Sequence, residues 1–270
     1  MSDAPDPYVH GHHSSVIRSH TWRNAENSAP HLLPHLSPGM SVLDIGCGPG
    51  TITVDLARRV APGPVTGLDA VSAMVEQADA ALESTDVTNC SFRTGDVYNL
   101  YFDDDSFDVV HAHQVLQHLT DPVAALSEMA RVAKPGGIIA VRDADYAGMT
   151  WAPPDPLLDR WLELYHQITE KNAVEADAGR YLLGWVQQVD VDSVTATSST
   201  WTFATPSLRA WWGGLWADRV RESSYADHAL SHQLCDRAEL DAIAHAWLRW
   251  AEHPDGFFVV PHGEVIAVVA

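Results

Sequence analysis

Lysine is nearly missing from this chain. Lys134 and Lys171 are the only two among 16 basic residues, which face 36 acidic ones for a net charge of −20. No basic run exists, and such a field repels phosphate backbones and anionic membrane surfaces. Neither nucleic acid nor a membrane is therefore an expected partner. Cysteine is sparse as well: Cys47, Cys90 and Cys235 stand far apart with no CxxC pair. That argues against zinc or redox chemistry, and against a disulfide framework in a chain this long. No apolar run reaches the roughly 18 residues of a membrane span. The start, "MSDAPDPYVHGHH", is polar and acidic rather than a signal peptide, so a cytoplasmic protein is expected. Residues 1–13 lack periodicity and are expected to be mobile. Their His10, His12 and His13 have no cysteine nearby, and no metal site is expected there. Tryptophan is also unevenly spread: all ten lie outside residues 40–145.

What that tryptophan-free stretch does contain is regular. "SVLDIGCGPGTITVDLA" reads as a strand, a turn crowded by Gly46, Gly48 and Gly50, and a helix with Ile52, Leu56 and Val60 at helical spacing. Such a turn brings backbone amides close to a ligand. "PVTGLDA", "CSFRTGD", "FDVVHAHQV" and "GGIIAVRDAD" read as further strands, with helices at 72–83 and over "PVAALSEMARVA". This alternation predicts βαβ units and a doubly wound, Rossmann-like parallel sheet. A helix is predicted from Ser14 to about Leu33. Beyond Asp145 the rhythm gives way to amphipathic helices, the β-rich "DSVTATSSTWTFAT", and the closing "GFFVVPHGEVIAVVA".

Two ligands compete for the glycine turn. A dinucleotide fingerprint, G-x-G-x-x-G, needs a third glycine where Thr51 stands, and no Tyr-x-x-x-Lys pair supports a short-chain dehydrogenase. The alternative rests on several motifs in order. "VLDIGCGPG" resembles the first motif of class I S-adenosylmethionine-dependent methyltransferases. "VTGLDAV" sets Asp69 at a strand end roughly 20 residues on, then come "TGDVYNLYFDDDSFDVVHAHQVLQHLTDP" and "ARVAKPGG". Within the family the match is to the ubiquinone/menaquinone C-methyltransferase-like branch, over roughly residues 40–145.

The resemblance implies a seven-stranded sheet with an antiparallel last strand, and S-adenosylmethionine as cofactor. Asp69, beside Ala70, would accept from the ribose hydroxyls. Gly46, Gly48 and Gly50 would let the backbone run along the methionine portion, with Asp44 serving its ammonium. Asp96 would accept from the adenine amino group, and the Val97 amide would face a ring nitrogen. Ala112, His113 and Gln114 would line the methyl-donor cleft. An N-terminal helix (residues 1–39 with the tail) bearing Trp22 and Arg23 would close over the cofactor core at 40–143, Arg23 meeting the cofactor carboxylate. Residues 144–256 would add a helical cap (144–176 and 205–256) with a remaining core helix and strand, and 257–270 the last strand.

The substrate is expected to be a small apolar or aromatic metabolite. Most tryptophans are expected to fill the cap, but Gly213 and Gly214 weaken the helix in "RAWWGGLWADR". Trp211, Trp212 and Trp216 are therefore expected at a pocket wall or hinge. A hydroxyl acceptor would call for a base with a pKa near working pH. His113 is the first candidate and His118 the second, whereas an activated carbon would need none. An NAD-dependent oxidoreductase and a non-catalytic cofactor-binding regulator are the competing readings, and a homodimer is left open.

Overall fold

The computed structural model describes residues 19–270. The tail with its histidines, and the first part of the helix expected from Ser14, lie outside the described residues. Val42–Ile45 (β1) is buried along its whole length, as a central parallel strand is. Val65–Asp69 (β2) and Phe107–His113 (β4) flank it in parallel register, with Cys90–Thr94 (β3) beyond β2 and Ala133–Ala144 (β5) beyond β4. Phe257–Val269 (β8) runs antiparallel to β5 and pairs also with Val191–Phe203 (β7). Among the described residues the sheet has eight strands, one more than expected, because the three residues Thr150–Ala152 (β6) also pair with β8.

The N-terminal region is not the single helix expected up to Leu33. Asn24 adopts an extended conformation and shares a reciprocal capping box with Asn27, which starts the four-residue helix Ala25–Ser28 (α1). A separate 3-10 turn covers Leu33–His35. Thr51–Val60 (α2), Ser72–Leu82 (α3) and Pro122–Val132 (α4) connect the parallel strands.

Pro156–Lys171 (α5), Pro206–Glu222 (α7), Ser224–Ser231 (α8) and Arg237–Glu252 (α9) build a second core out of aromatic rings. Trp161 meets Trp216 and Trp247 edge-on, at 4.5 and 5.0 Å between centroids. Each such pair adds about 0.5–1.5 kcal/mol beyond its burial. Ala178–Val186 (α6) belongs to the sheet instead, where Leu182 and Val186 pack with Val265 and Ala267. Its Gly179 presses on β8 so closely that a Cβ on Gly263 would sit 1.8 Å from the Gly179 oxygen. No hinge interrupts α7 at its two glycines. A Cβ on Gly213 would meet the Trp247 carbonyl at 2.7 Å, so this glycine lets α9 approach.

Candidate active site

One cavity of about 1460 Å³ opens at the carboxyl ends of β1, β2 and β4. It exceeds the usual few hundred to 1,000 Å³ of a single-ligand pocket, and it has two unlike ends. The first is built from backbone. Gly46, Gly48 and Gly50 have φ of +66°, +51° and +80°, the left-handed region. Gly50 ends that turn and caps α2, with the Phe92 ring 2.5 Å from where a Cβ would be. Any side chain there would be strained and would clash.

Four carboxylates line the same cavity. Asp69, closing β2, accepts from the Gly48 and Val71 amides, each at 2.9 Å. Asp44 lines the wall but is buried and engaged, accepting from Thr53 Oγ1 at 2.5 Å and facing His111 Nδ1 at 2.7 Å. Asp96 is exposed and holds the Tyr98 amide at 2.9 Å. Asp121 caps α4. Ala70, Leu68, Met74 and Val97 supply the apolar wall between them.

The second end is built from side chains. Trp22, Trp201, Trp211 and Trp212 form its wall, Trp22 lying 5.2 Å from both Trp201 and Trp211. Trp201 is anchored by its indole N–H, which donates to the Asn27 carbonyl at 2.6 Å. Trp216 is not on this wall. It is fully buried in the cap core, because its helical phase turns it toward α5 and α9. Ala112 is likewise absent from the cavity: neighbouring residues on a strand face opposite ways, and with His113 in the cleft Ala112 joins the core behind the sheet.

Arg23 lines the cavity, yet its guanidinium is turned to Gln114, whose Oε1 accepts from Nη2 at 2.5 Å. Gln114 has φ of +53°, an uncommon conformation for a non-glycine residue, immediately after β4. Its amide nitrogen faces His262 Nε2 at 2.9 Å. His113 lies 5% exposed beside Arg142. Burial, then Arg142 and Arg23, push its pKa well below the ordinary value. Burial, Arg23 and Arg219 take His118 down to about 3. Neither meets the expectation of a base poised near working pH.

Arg142, Glu264, His262, Trp201 and Arg219 were not among the residues expected at the site. The signal for two of them was present: a charge inside an apolar strand, as in "IIAVRDA" and "GEVIAVV", needs a buried partner. Among the described residues no cluster of His, Cys, Asp or Glu could hold a metal, and no helix is long and apolar enough to cross a membrane.

Comparison with known proteins agrees with this geometry. A family profile described as a methyltransferase domain matches residues 36–206. An uncharacterized methyltransferase of Schizosaccharomyces pombe is 34% identical over 267 residues, covering 96% of this chain and 95% of its own. The 2-methyl-6-phytyl-1,4-hydroquinone methyltransferase of Synechocystis is 31% identical over 206 residues, 73% of this chain and 60% of that one. The crystal structure of YcgJ from Bacillus subtilis has a similar fold, with a TM-score of 0.59 at 22% identity over 90% of this chain and 98% of that one. With the glycine turn, the strand-end carboxylate and the sheet order in place, these matches set aside the oxidoreductase reading. The chain belongs to the S-adenosylmethionine-dependent methyltransferases.

Proposed function

We propose that the enzyme methylates a small, flat, aromatic or apolar metabolite, with cofactor and acceptor held at opposite ends of the one cavity. The tryptophan wall facing the glycine turn carries this reading. Indoles bury a flat ligand with little loss of side-chain freedom, and they keep water from the transfer. The residues at the other end fit S-adenosylmethionine. Asp69 suits the ribose diol, Asp96 and the Val97 amide the adenine edge, and the left-handed glycines leave room for the methionine portion. Asp44 would serve the ammonium with lone pairs left over from Thr53 and His111. When bound, the cofactor supplies an electrophilic methyl group. The protein contributes positioning and exclusion of water, worth several kcal/mol of barrier in well-oriented systems.

A net charge of −20 disfavours nucleic acid and anionic membrane surfaces as partners, which supports a small-molecule substrate. The hydroquinone methyltransferase of Synechocystis acts on a flat aromatic ring, and this chain shares 31% of its residues in the matched region. The test uses S-adenosylmethionine with a deuterated methyl group, incubated with the full chain and a panel of quinols, phenols, amines and short peptides. Label appearing on a quinol or phenol is the expected result. Label carried only by peptides or polyamines would overturn the reading.

A further inference from the structure

On the sheet face beneath the cavity lies a charged cluster in which each atom's role can be assigned. Arg142 on β5 and Glu264 on β8 stand opposite each other in register, 1% and 4% exposed. Glu264 Oε1 accepts from Arg142 Nε at 3.1 Å, and Oε2 accepts from Thr197 Oγ1 at 3.0 Å. Ser199 donates to Glu264 while its own oxygen takes Arg142 Nη2 at 3.0 Å. These contacts offset the cost of burying a guanidinium, and they fix its orientation.

The remaining nitrogen, Nη1, points to β4. His113 is the residue paired with Arg142 there, and its Nδ1 lies 3.5 Å from Nη1. A guanidinium nitrogen only donates. Nδ1 therefore turns its lone pair toward Arg142, and the ring proton resides on Nε2. Nε2 is buried, meets no hydrogen-bond partner, and belongs to a ring that lines the cavity.

The neighbouring ring cannot occupy it. His262, stacked on His113 at 6.0 Å, accepts at Nε2 from the Gln114 amide, whose orientation is set because Arg23 can only donate to the Gln114 oxygen. His262 Nδ1 then carries its own proton to the Val260 carbonyl at 3.1 Å.

We infer that His113 is a hydrogen-bond donor rather than a base: a neutral imidazole, locked in its Nε2–H form by Arg142, that receives an anionic oxygen of the methyl acceptor, a phenolate or an enolate. The inference rests on the proposed placing of the acceptor at the tryptophan end. The charge of the wall agrees with it. Arg23 and Arg219 line the cavity with their guanidinium groups 5.6 and 5.1 Å from the Trp201 and Trp216 rings, whereas Asp69 is held by the Gly48 and Val71 amides and Asp44 by Thr53 and His111. An oxygen that arrives ionised takes the methyl group, releases S-adenosylhomocysteine and has no proton to lose, whereas a ring carbon that takes it gives up its own hydrogen to solvent in a later step. A donor of fixed orientation stabilises the acceptor's oxygen in place, as neutral imidazoles do in other enzymes. Arg142 is then a positioning residue that acts through His113.

The state of His113 can be read without any substrate. In the full chain labelled with nitrogen-15 histidine, long-range proton–nitrogen correlation should show His113, assigned through His113→Gln, protonated at Nε2 and unchanged from pH 5 to 8. The groups facing it are Arg142, Arg23, His262 and His111, and the two histidines are themselves buried. Protonation at Nδ1, or a titration within that range, would overturn the inference. The acceptor side is probed with 4-nitrophenol in the presence of S-adenosylhomocysteine. Its bound phenolate absorbance should persist to about one pH unit below that of free 4-nitrophenol, a tenfold preference for the anion. His113→Gln, which keeps an N–H, should retain most of that preference and His113→Leu should lose it. Binding without preference for the anion, or no binding, would sink the oxyanion assignment. Should the Nε2–H signature hold while deuterated methyl goes only to an amine, the proposed acceptor class fails and the state of His113 stands.

Discussion

From Val42 to Ala144 the chain brings the glycine turn and the carboxylates to the cavity, together with His113 and apolar side chains, whereas the described segments outside it supply the lining indoles and arginines. The first region has no tryptophan, and the cap concentrates them. The contrast follows from what each end holds. A cofactor common to a whole family can be gripped by loop amides, and little freedom for change is left where a Cβ on Gly46 or Gly50 would clash with Val115 or Phe92 and where Gly48 holds a left-handed φ of +51°. An acceptor peculiar to one enzyme is recognised by side chains on helices whose backbone need not alter. Specificity can then change in the cap while the sheet keeps its geometry.

The seam between the two regions is where a change of pH should act most strongly. His31, His113, His118 and His262 are neutral in the fold, His31 and His118 near 3 and the other two well below the ordinary value, with burial the largest cause for each. Unfolded, each returns to about 6.5. Below that pH the unfolded chain binds more protons, so the contribution is complete above about 6.5 and is lost as pH falls toward 3. Asp143 works in the other direction. Burial raises it to about 7, so it keeps a proton the unfolded chain releases near 4, and it costs stability as pH rises between these values. Four histidines against one carboxyl leave a net uptake of protons on unfolding in acid, so stability falls as pH drops below about 6.5. Urea melts at pH 7, 6 and 5 should show midpoints falling steeply. A flat midpoint would mean that the seam is hydrated and the two regions are not packed as described.

Much of this division was legible in the sequence, and the exceptions have physical causes. In the core, a strand, a glycine turn and a helix each leave a local signature, and Asp69 is marked by ending an apolar strand. Trp216 was misplaced because an α-helix turns 100° per residue, and only the packing of α5 and α9 decides which indoles of α7 face the cavity. Ala112 was placed in the cleft although strand alternation sets it opposite His113. The helix predicted up to Leu33 is interrupted because the Asn24–Asn27 capping box starts a new helix at Ala25. The Arg142–Glu264 pair joins strands that are 122 residues apart, and no local pattern links them.

The backbone-built end should respond to one carboxylate. Asp69→Ala removes the acceptor that suits the ribose and also releases the Gly48 and Val71 amides it now holds. A charge-assisted hydrogen-bonding partner is worth about 1.5–3 kcal/mol, so S-adenosylhomocysteine should bind roughly 10- to 100-fold more weakly by calorimetry. Acceptor affinity, measured with cofactor product at saturation, should stay within a factor of a few. Unchanged cofactor affinity would show that Asp69 only shapes the loop.

The smallest effect is expected at the side-chain end, and it is the one that separates wall from core. Trp211 is partly exposed on the cavity wall beside Trp22, Phe203 and Trp212, at 5.2, 5.9 and 6.0 Å. Trp216 would be a poor probe, since truncating a fully buried ring costs about 3–5 kcal/mol of stability whatever its role. Trp211→Ala leaves the Trp161–Trp216–Trp247 core intact and removes one face of the acceptor's surroundings. Losing an aromatic contact of about 1 kcal/mol should raise the acceptor KM roughly fivefold. Such binding is made equally in ground and transition states, so kcat should hardly change. The Kd for S-adenosylhomocysteine should also hold, because the ring contacts of Trp211 are with Trp22, Phe203 and Trp212 and not with the glycine turn. If cofactor affinity fell as far as acceptor affinity, Trp211 would belong to both ends, and the division of the cavity into a backbone half and a side-chain half would have to be redrawn around it.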